Sequence, residues 1–136
     1  MHLTKEFREQ HKEIKLLCKH LIECSVEQHI ALNASYVHKI QKDLERLLSL
    51  HLRLEDNSLY PVLRENKSQL IRETSLRLQK EFSPCADWHN TYQEKYSTQE
   101  RIQSSPRAYV QDTQRIVQQI QKRIDTEEDE LYVLLR

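Results

Sequence analysis

Residues 51–63 read HLRLEDNSLYPVL, from His51 to Leu63, and the rest of the chain is organised around them. His51 and Glu55 stand four residues apart, which on a helix of about 3.6 residues per turn sets both side chains on one face, one turn apart. Upstream, the apolar stripe Ile40, Leu44, Leu47 arrives in a three-four rhythm whose next step is His51. The two polar groups therefore continue a buried face instead of interrupting a solvated one. A buried charge must be paired, hydrogen-bonded or bound to metal, so this stretch poses a functional question from the outset.

The bulk composition bounds the answer. A chain of 136 residues is expected to form one domain, 1–136, around a single core. Charged residues make up 31% against 38% apolar, a balance that suits amphipathic helices. There is no glycine, and there are three prolines. Tight hairpins lean on glycine-bearing turns, so the expected class is all-α. Basic and acidic residues balance at 21 each, which argues against a nucleic-acid partner and against binding to an anionic membrane. No apolar run approaches the roughly 18 residues of a membrane span. The opening MHLTKEFREQHKE is too charged for a signal peptide, and the expected location is cytoplasmic. Cys18, Cys24 and Cys85 are an odd set without C-x-x-C spacing and read as small core residues in a reducing compartment.

In order, Thr4 is expected to cap a first helix that runs to about Cys24 with the stripe Phe7, His11, Ile14, Cys18, Leu21. His11 thus sits inside an apolar seam. Ser25–Ser35 breaks the rhythm and reads as a loop, with Asn33 or Ser35 at its end. A second helix follows from about Ser35 to the Leu59-Tyr60-Pro61 region, with Pro61 expected to kink or end it. After a polar connection, Arg64–Ser68, a third helix carries Leu70, Leu78 and Phe82, with Thr74 and Gln79 near the stripe. Ser83-Pro84 should bend it, and the pattern resumes through Trp88, Tyr92 and Tyr96. Ser97–Ser105 is looser, and Ser105-Pro106 reads as the cap and first turn of a last helix. That helix aligns Tyr109, Thr113, Ile116, Ile120, Arg123, Glu127 and then Leu131 or Glu130. Four long amphipathic helices with short connections imply an antiparallel, up-down-up-down four-helix bundle.

An internal repeat supports this arrangement. HLRLEDNSLY at the end of the second helix lines up with RIDTEEDELY at the end of the fourth, pairing Glu55 with Glu127, Tyr60 with Tyr132 and His51 with Arg123. In such a bundle the second and fourth helices run parallel on a diagonal, so matching positions face each other at one depth. His11, His51, Glu55 and Glu127 then converge. Imidazole with carboxylate suits iron, manganese or zinc, and bundle cores are a recurrent place for such sites. Taken singly, a histidine in a stripe is more often a hydrogen-bonded core residue than a ligand. The agreement in depth is what favours a site.

HKEI around His11, HLRLEDNSLYP and EEDELY together resemble the hemerythrin, or HHE cation-binding, family over nearly the whole chain. LQKEF, the aromatic-rich stretch from Trp88 to Tyr96 and RIDTEEDELY further resemble its small single-domain bacterial branch. The resemblance implies a bundle enclosing a non-haem, di-iron site used for oxygen binding, redox or iron sensing, with metal ion and dioxygen as ligands. Carried over residue by residue, it implies metal ligation by His11, His51, Glu55 and Glu127. Two departures stand out. The third-helix histidine expected near Leu78 to Lys80 is absent, with Gln79 the nearest polar candidate, and Arg123 replaces the histidine one turn before the last acid.

Two outcomes remain open on these residues. A reduced site of His11, His51, Glu55 and Glu127 binds one or two metals, with Gln79 or water completing the shell. Alternatively Arg123 points inward, pairs with Glu55 or Glu127 and replaces the cation's charge, leaving a metal-free module for a protein partner. Sigma-factor-binding transcription regulators offer a fold-level resemblance for that role. No general acid or base set lies beside the cluster, so binding or sensing is expected rather than catalysis, and a di-iron oxidase is least favoured.

His2, His20, His29 and His38 are spaced by multiples of nine residues, out of phase with one helix face, and are expected to face solvent. His89, beside Trp88, is expected at the surface or in a stacking role. Glu128 to Glu130 read as solvated helix surface. Tyr60 and Tyr132 should close one end of the core, with their phenols in reach of the acids.

Overall fold

The computed structural model describes residues 3–135, and His2 lies outside them. Among the described residues all regular structure is helical. Helix α1 spans Leu3–Cys24 and buries Phe7, His11, Ile14, Cys18 and Leu21, the stripe read from the sequence. Thr4, expected as its cap, is instead inside the helix and buried.

Helix α2 spans Glu27–Leu54, so the loop expected over Ser25–Ser35 shrinks to Ser25 and Val26. The reason is packing: Ile30, Ala34 and Val37 are buried, extending the apolar stripe backwards. The break in rhythm survives as a kink at Asn33, with φ −135° and ψ 41°. Farther along α2, Leu48 and not Leu47 takes the buried step before His51.

At Glu55–Leu59 the helix widens into one π turn, closed by the Tyr60 amide donating to the Glu55 carbonyl. Such a turn absorbs one extra residue, which allows Leu59 and Tyr60 both to be buried. Pro61 does not end the helix. It falls in the first turn of α3, Tyr60–Arg64, where a missing N–H is tolerated.

Ser68 caps α4, Gln69–Phe82, its hydroxyl accepting from the Ile71 amide at 3.4 Å. Leu78 is buried as expected, while Leu70 points to solvent at 59% exposure. Ser83-Pro84 breaks the rod, and α5 resumes at Cys85–Lys95. The looser stretch expected over Ser97–Ser105 contains a short helix, α6, Gln99–Ser104, capped by Thr98 and anchored by buried Ile102. Helix α7 spans Pro106–Thr126, with Pro106 in its first turn, although Ser105 makes no side-chain cap bond. A second π turn, Glu127–Leu131, and a 3-10 turn, Tyr132–Leu135, finish the described chain.

The four rods of the bundle are therefore α1, α2 continued through α3, the broken pair α4 and α5, and α7. Helix α1 packs on α2 and α7, α2 also packs on α7, and α5 packs on α7. The two π turns fall at equivalent ends of α2 and α7, so the sequence repeat is also a structural one.

The core has two apolar clusters. The larger contains Ile14, Cys18, Leu21, Leu44, Leu48, Ile120 and Ile124. The smaller contains Phe7, Leu59, Tyr60, Leu63, Leu78, Leu131, Tyr132 and Leu135. Along each of three rods the stripe crosses from one cluster to the other through one or two polar residues. These are His11 on α1, His51 on α2 with Glu55 in the π turn after it, and Glu127 in the π turn after α7. A single polar layer separates the clusters.

Candidate metal centre

The polar layer is fully enclosed, with His11 and His51 at 1% exposure and Glu55 and Glu127 at 0%. One donor atom from each of the four lies within 4.8 Å of all the others. The four residues read from the sequence are brought together as expected.

Hydrogen bonding around the layer fixes which atoms face the centre. His51 Nδ1–H donates to Gln10 Oε1 at 2.6 Å, which leaves Nε2 of the neutral ring as a bare lone pair. Burial pushes the His51 pKa down to about 4 and keeps that ring neutral. Its Nε2 lies 3.0 Å from His11 Nε2 and 2.9 Å from Glu55 Oε1. His11 turns Nδ1 toward the Glu128 carboxylate at 3.5 Å and Nε2 toward Glu127 Oε1 at 3.5 Å. With His51 Nδ1–H given to Gln10, the 3.0 Å contact between the two Nε2 atoms is a hydrogen bond from His11 Nε2–H to His51 Nε2, and His11 Nδ1 has no hydrogen-bond partner.

The acids are held crosswise. Tyr60 donates to Glu127 Oε2 and Tyr132 to Glu55 Oε2, each at 2.8 Å, so each half of the repeat clamps the carboxylate of the other. Burial first, and then the nearby carboxylates, raise both phenol pKa values far above the usual range, so the phenols remain donors. The other oxygen of each acid, Oε1, accepts no hydrogen bond. The 2.9 Å approach of His51 Nε2 to Glu55 Oε1 is consistent with this, because that nitrogen carries no proton. Four potential metal-ligating atoms thus meet in one enclosed layer, with one imidazole proton held between His11 and His51 and Oε1 of both acids unpartnered.

Arg123 points inward. Its side chain is 12% exposed, with Nη2 3.7 Å from Glu55 Oε1 and Nε 4.0 Å from Glu127 Oε1. The guanidinium lies over the Phe82 ring at 4.6 Å. Burial works against its charge, but Glu127 and Glu55 outweigh that and the pKa rises. This is the direction expected of a neutralised core, yet one guanidinium faces two carboxylates. Burial, and then the proximity of Glu55, push the Glu127 pKa up to about 7, and burial raises Glu55 as well. One negative charge remains to be matched by a proton or by a cation.

A family model described as the hemerythrin HHE cation binding domain matches residues 2–135. The chain belongs to this family. Searches of curated proteins and of solved structures returned no match.

One departure of this hemerythrin-family chain, the missing third-helix histidine, can now be placed. Gln79 does not join the four donors; it lines a surface cleft of about 490 Å³ together with Phe82, His89, Asn90 and Arg123. His89, expected at the surface, is buried at 8% exposure, while Trp88 is exposed at 46%. The helical phase of α5 follows Cys85, His89, Tyr92 and Tyr96, a three-four spacing that the sequence also contains. Choosing the bulkier Trp88 as the inner residue obscured it. His89 Nε2 has no hydrogen-bond partner, and burial lowers its pKa to about 4. It lines a small cavity of about 10 Å³ with His51, Gln119, Arg123 and Glu127.

Gln10 and Glu128, the outer partners of the two imidazoles, carried no sequence signal beyond adjacency to His11 and Glu127. His20 is exposed, whereas His29 and His38 are half-buried. His38 Nε2–H donates to the Ser97 carbonyl at 3.2 Å, away from the centre.

The crossed clamps have a measurable consequence for the hemerythrin-like core. Tyr60→Phe and Tyr132→Phe each remove a donor to a buried acid and should each cost about 2 kcal/mol in urea unfolding at neutral pH. Because the two clamps are related by the repeat, the losses should be similar. A loss at one position only would contradict the two-fold description.

Proposed function

We propose that this chain is a small hemerythrin-like protein, a single unit over residues 1–136. Its core takes up a transition-metal cation on His11, His51, Glu55 and Glu127. Iron is the first candidate, and the role is to bind or sense oxygen, redox state or iron rather than to turn over a substrate. The observation that carries this is the convergence of one ligand atom from each of His11, His51, Glu55 and Glu127 within 4.8 Å of one another in an enclosed layer, with Oε1 of both acids left without a hydrogen-bond partner. Two imidazoles and two acids compose a donor set that divalent iron, manganese or zinc accepts.

The surrounding residues support the reading. Gln10 orients the His51 ring, Glu128 lies against the outer nitrogen of His11, and such outer partners set tautomer and basicity in metal sites. Tyr60 and Tyr132 hold the acids with Oε1 turned inward. The apolar clusters on either side shield the layer from water. Iron bound there would supply reversible electron transfer and affinity for dioxygen. The cleft that reaches Arg123 and His89 offers a route for a small molecule. Three buried free cysteines suit a reducing cytoplasm. No described helix is long and apolar enough to cross a membrane.

One observation favours a second reading, a metal-free module for a protein partner: the inward ion pairs of Arg123. Metal analysis separates the two. Protein purified without chelator from iron-supplemented medium should carry at least one iron per chain, lost in the His51→Ala, Glu55→Ala double variant. No bound metal, together with a specific captured protein, would overturn the metal reading in favour of the module.

A further inference from the structure

We propose that the centre takes one cation and not two, because Arg123 fills the place a second would need. The inference rests on the metal reading above and concerns how many ions these residues admit.

The donor count is the first argument. Four inward donor atoms are what one tetrahedral ion requires. Spanning two ions through both oxygens of either carboxylate would compete with the bonds from Tyr132 to Oε2 of Glu55 and from Tyr60 to Oε2 of Glu127. A second ion would have to be built from donors outside the four.

Those donors lie on the side of α5 and α7, and there a fixed positive charge already stands. The guanidinium of Arg123 approaches Oε1 of both acids and is held in place by the Phe82 ring. Beyond it lies His89, nine-tenths buried, with Nε2 unpartnered and facing the same small cavity as Arg123 and Glu127. His89 is an imidazole the first four donors do not use. The enclosed cavity that His89 shares with His51, Arg123 and Glu127 holds only about 10 Å³, too little for a hydrated ion. Like-charge repulsion and bulk act together, and both come from one side chain.

Replacing that side chain should therefore change the stoichiometry. Wild-type protein and the Arg123→His variant are loaded with ferrous iron without oxygen, desalted and analysed for iron per folded chain. They are then oxidised and examined by electron paramagnetic resonance. An isolated ferric ion gives a signal, whereas a carboxylate-bridged ferric pair couples and is silent. The expected result is one iron with a signal in wild type, two irons in Arg123→His, and a return to one in Arg123→His with His89→Ala. Two coupled irons in wild type would overturn the inference while leaving the metal reading intact. One iron in Arg123→His would overturn the assignment of the second position to Arg123. No iron in wild type would sink both. If Arg123→His does not fold, the wild-type count and its resonance decide between one ion and two.

Discussion

Saturating ferrous iron should raise the midpoint of thermal unfolding by roughly 10 °C, and a chelator should reverse the gain. A ligand that binds only the folded state at about one hundred times its dissociation constant stabilises by about 2.7 kcal/mol. For a chain of this length that corresponds to roughly 3–5 °C per kcal/mol. The gain is specific to the donor layer, because the ligand atoms come from α1, α2 and the turns after α2 and α7, which lie side by side only in the bundle. The His51→Ala, Glu55→Ala double variant should melt at the same temperature with and without iron. An unaltered wild-type melt at saturating iron would be incompatible with a cation-binding core.

The second large effect concerns Arg123. In the metal-free protein at pH 8, Arg123→Met should destabilise by about 3–5 kcal/mol, since it leaves buried carboxylates without their cation. The sign of the pH dependence follows from the acids. Glu127 already has a folded-state pKa raised to about 7, and loss of the guanidinium raises it further. An acid whose folded pKa lies above its unfolded value contributes stability below the unfolded value and loses it as pH rises through the folded one. The variant's deficit should therefore be small near pH 4 and grow through pH 7. Added iron should recover much of it by supplying the missing positive charge. A deficit independent of pH would show that Arg123 acts through packing on Phe82 and not through charge.

The parts of this architecture visible in the sequence are those that depend on helical period alone. The stripes of α1 and α7 follow from three-four spacing, the shared depth of His11, His51, Glu55 and Glu127 from that spacing with the internal repeat, and the break at Ser83-Pro84 from the proline. The errors arise where spacing competes with other terms. Asn33 interrupts a helix that Ile30 and Ala34 hold together by burial, so a local break did not become a loop. Trp88 and His89 are neighbours, and size pointed to the wrong one. Pro61 is tolerated because a π turn resets the register before it, and nothing in EDNSL alone announces a wider turn. The direction of Arg123 depends on Phe82 and both acids together, a many-body arrangement that no pairwise pattern encodes.

The crossed tyrosine clamps bind the fate of the ion to that of the lower core. Two repelling acids would ordinarily relax by moving apart, but each is tethered to a phenol rooted in the cluster of Phe7, Leu59, Leu63 and Leu135. That cluster behaves as a vise whose grip sets how closely the acids are held before any ligand arrives. Affinity at the centre is thus partly stored in hydrophobic side chains that never touch it.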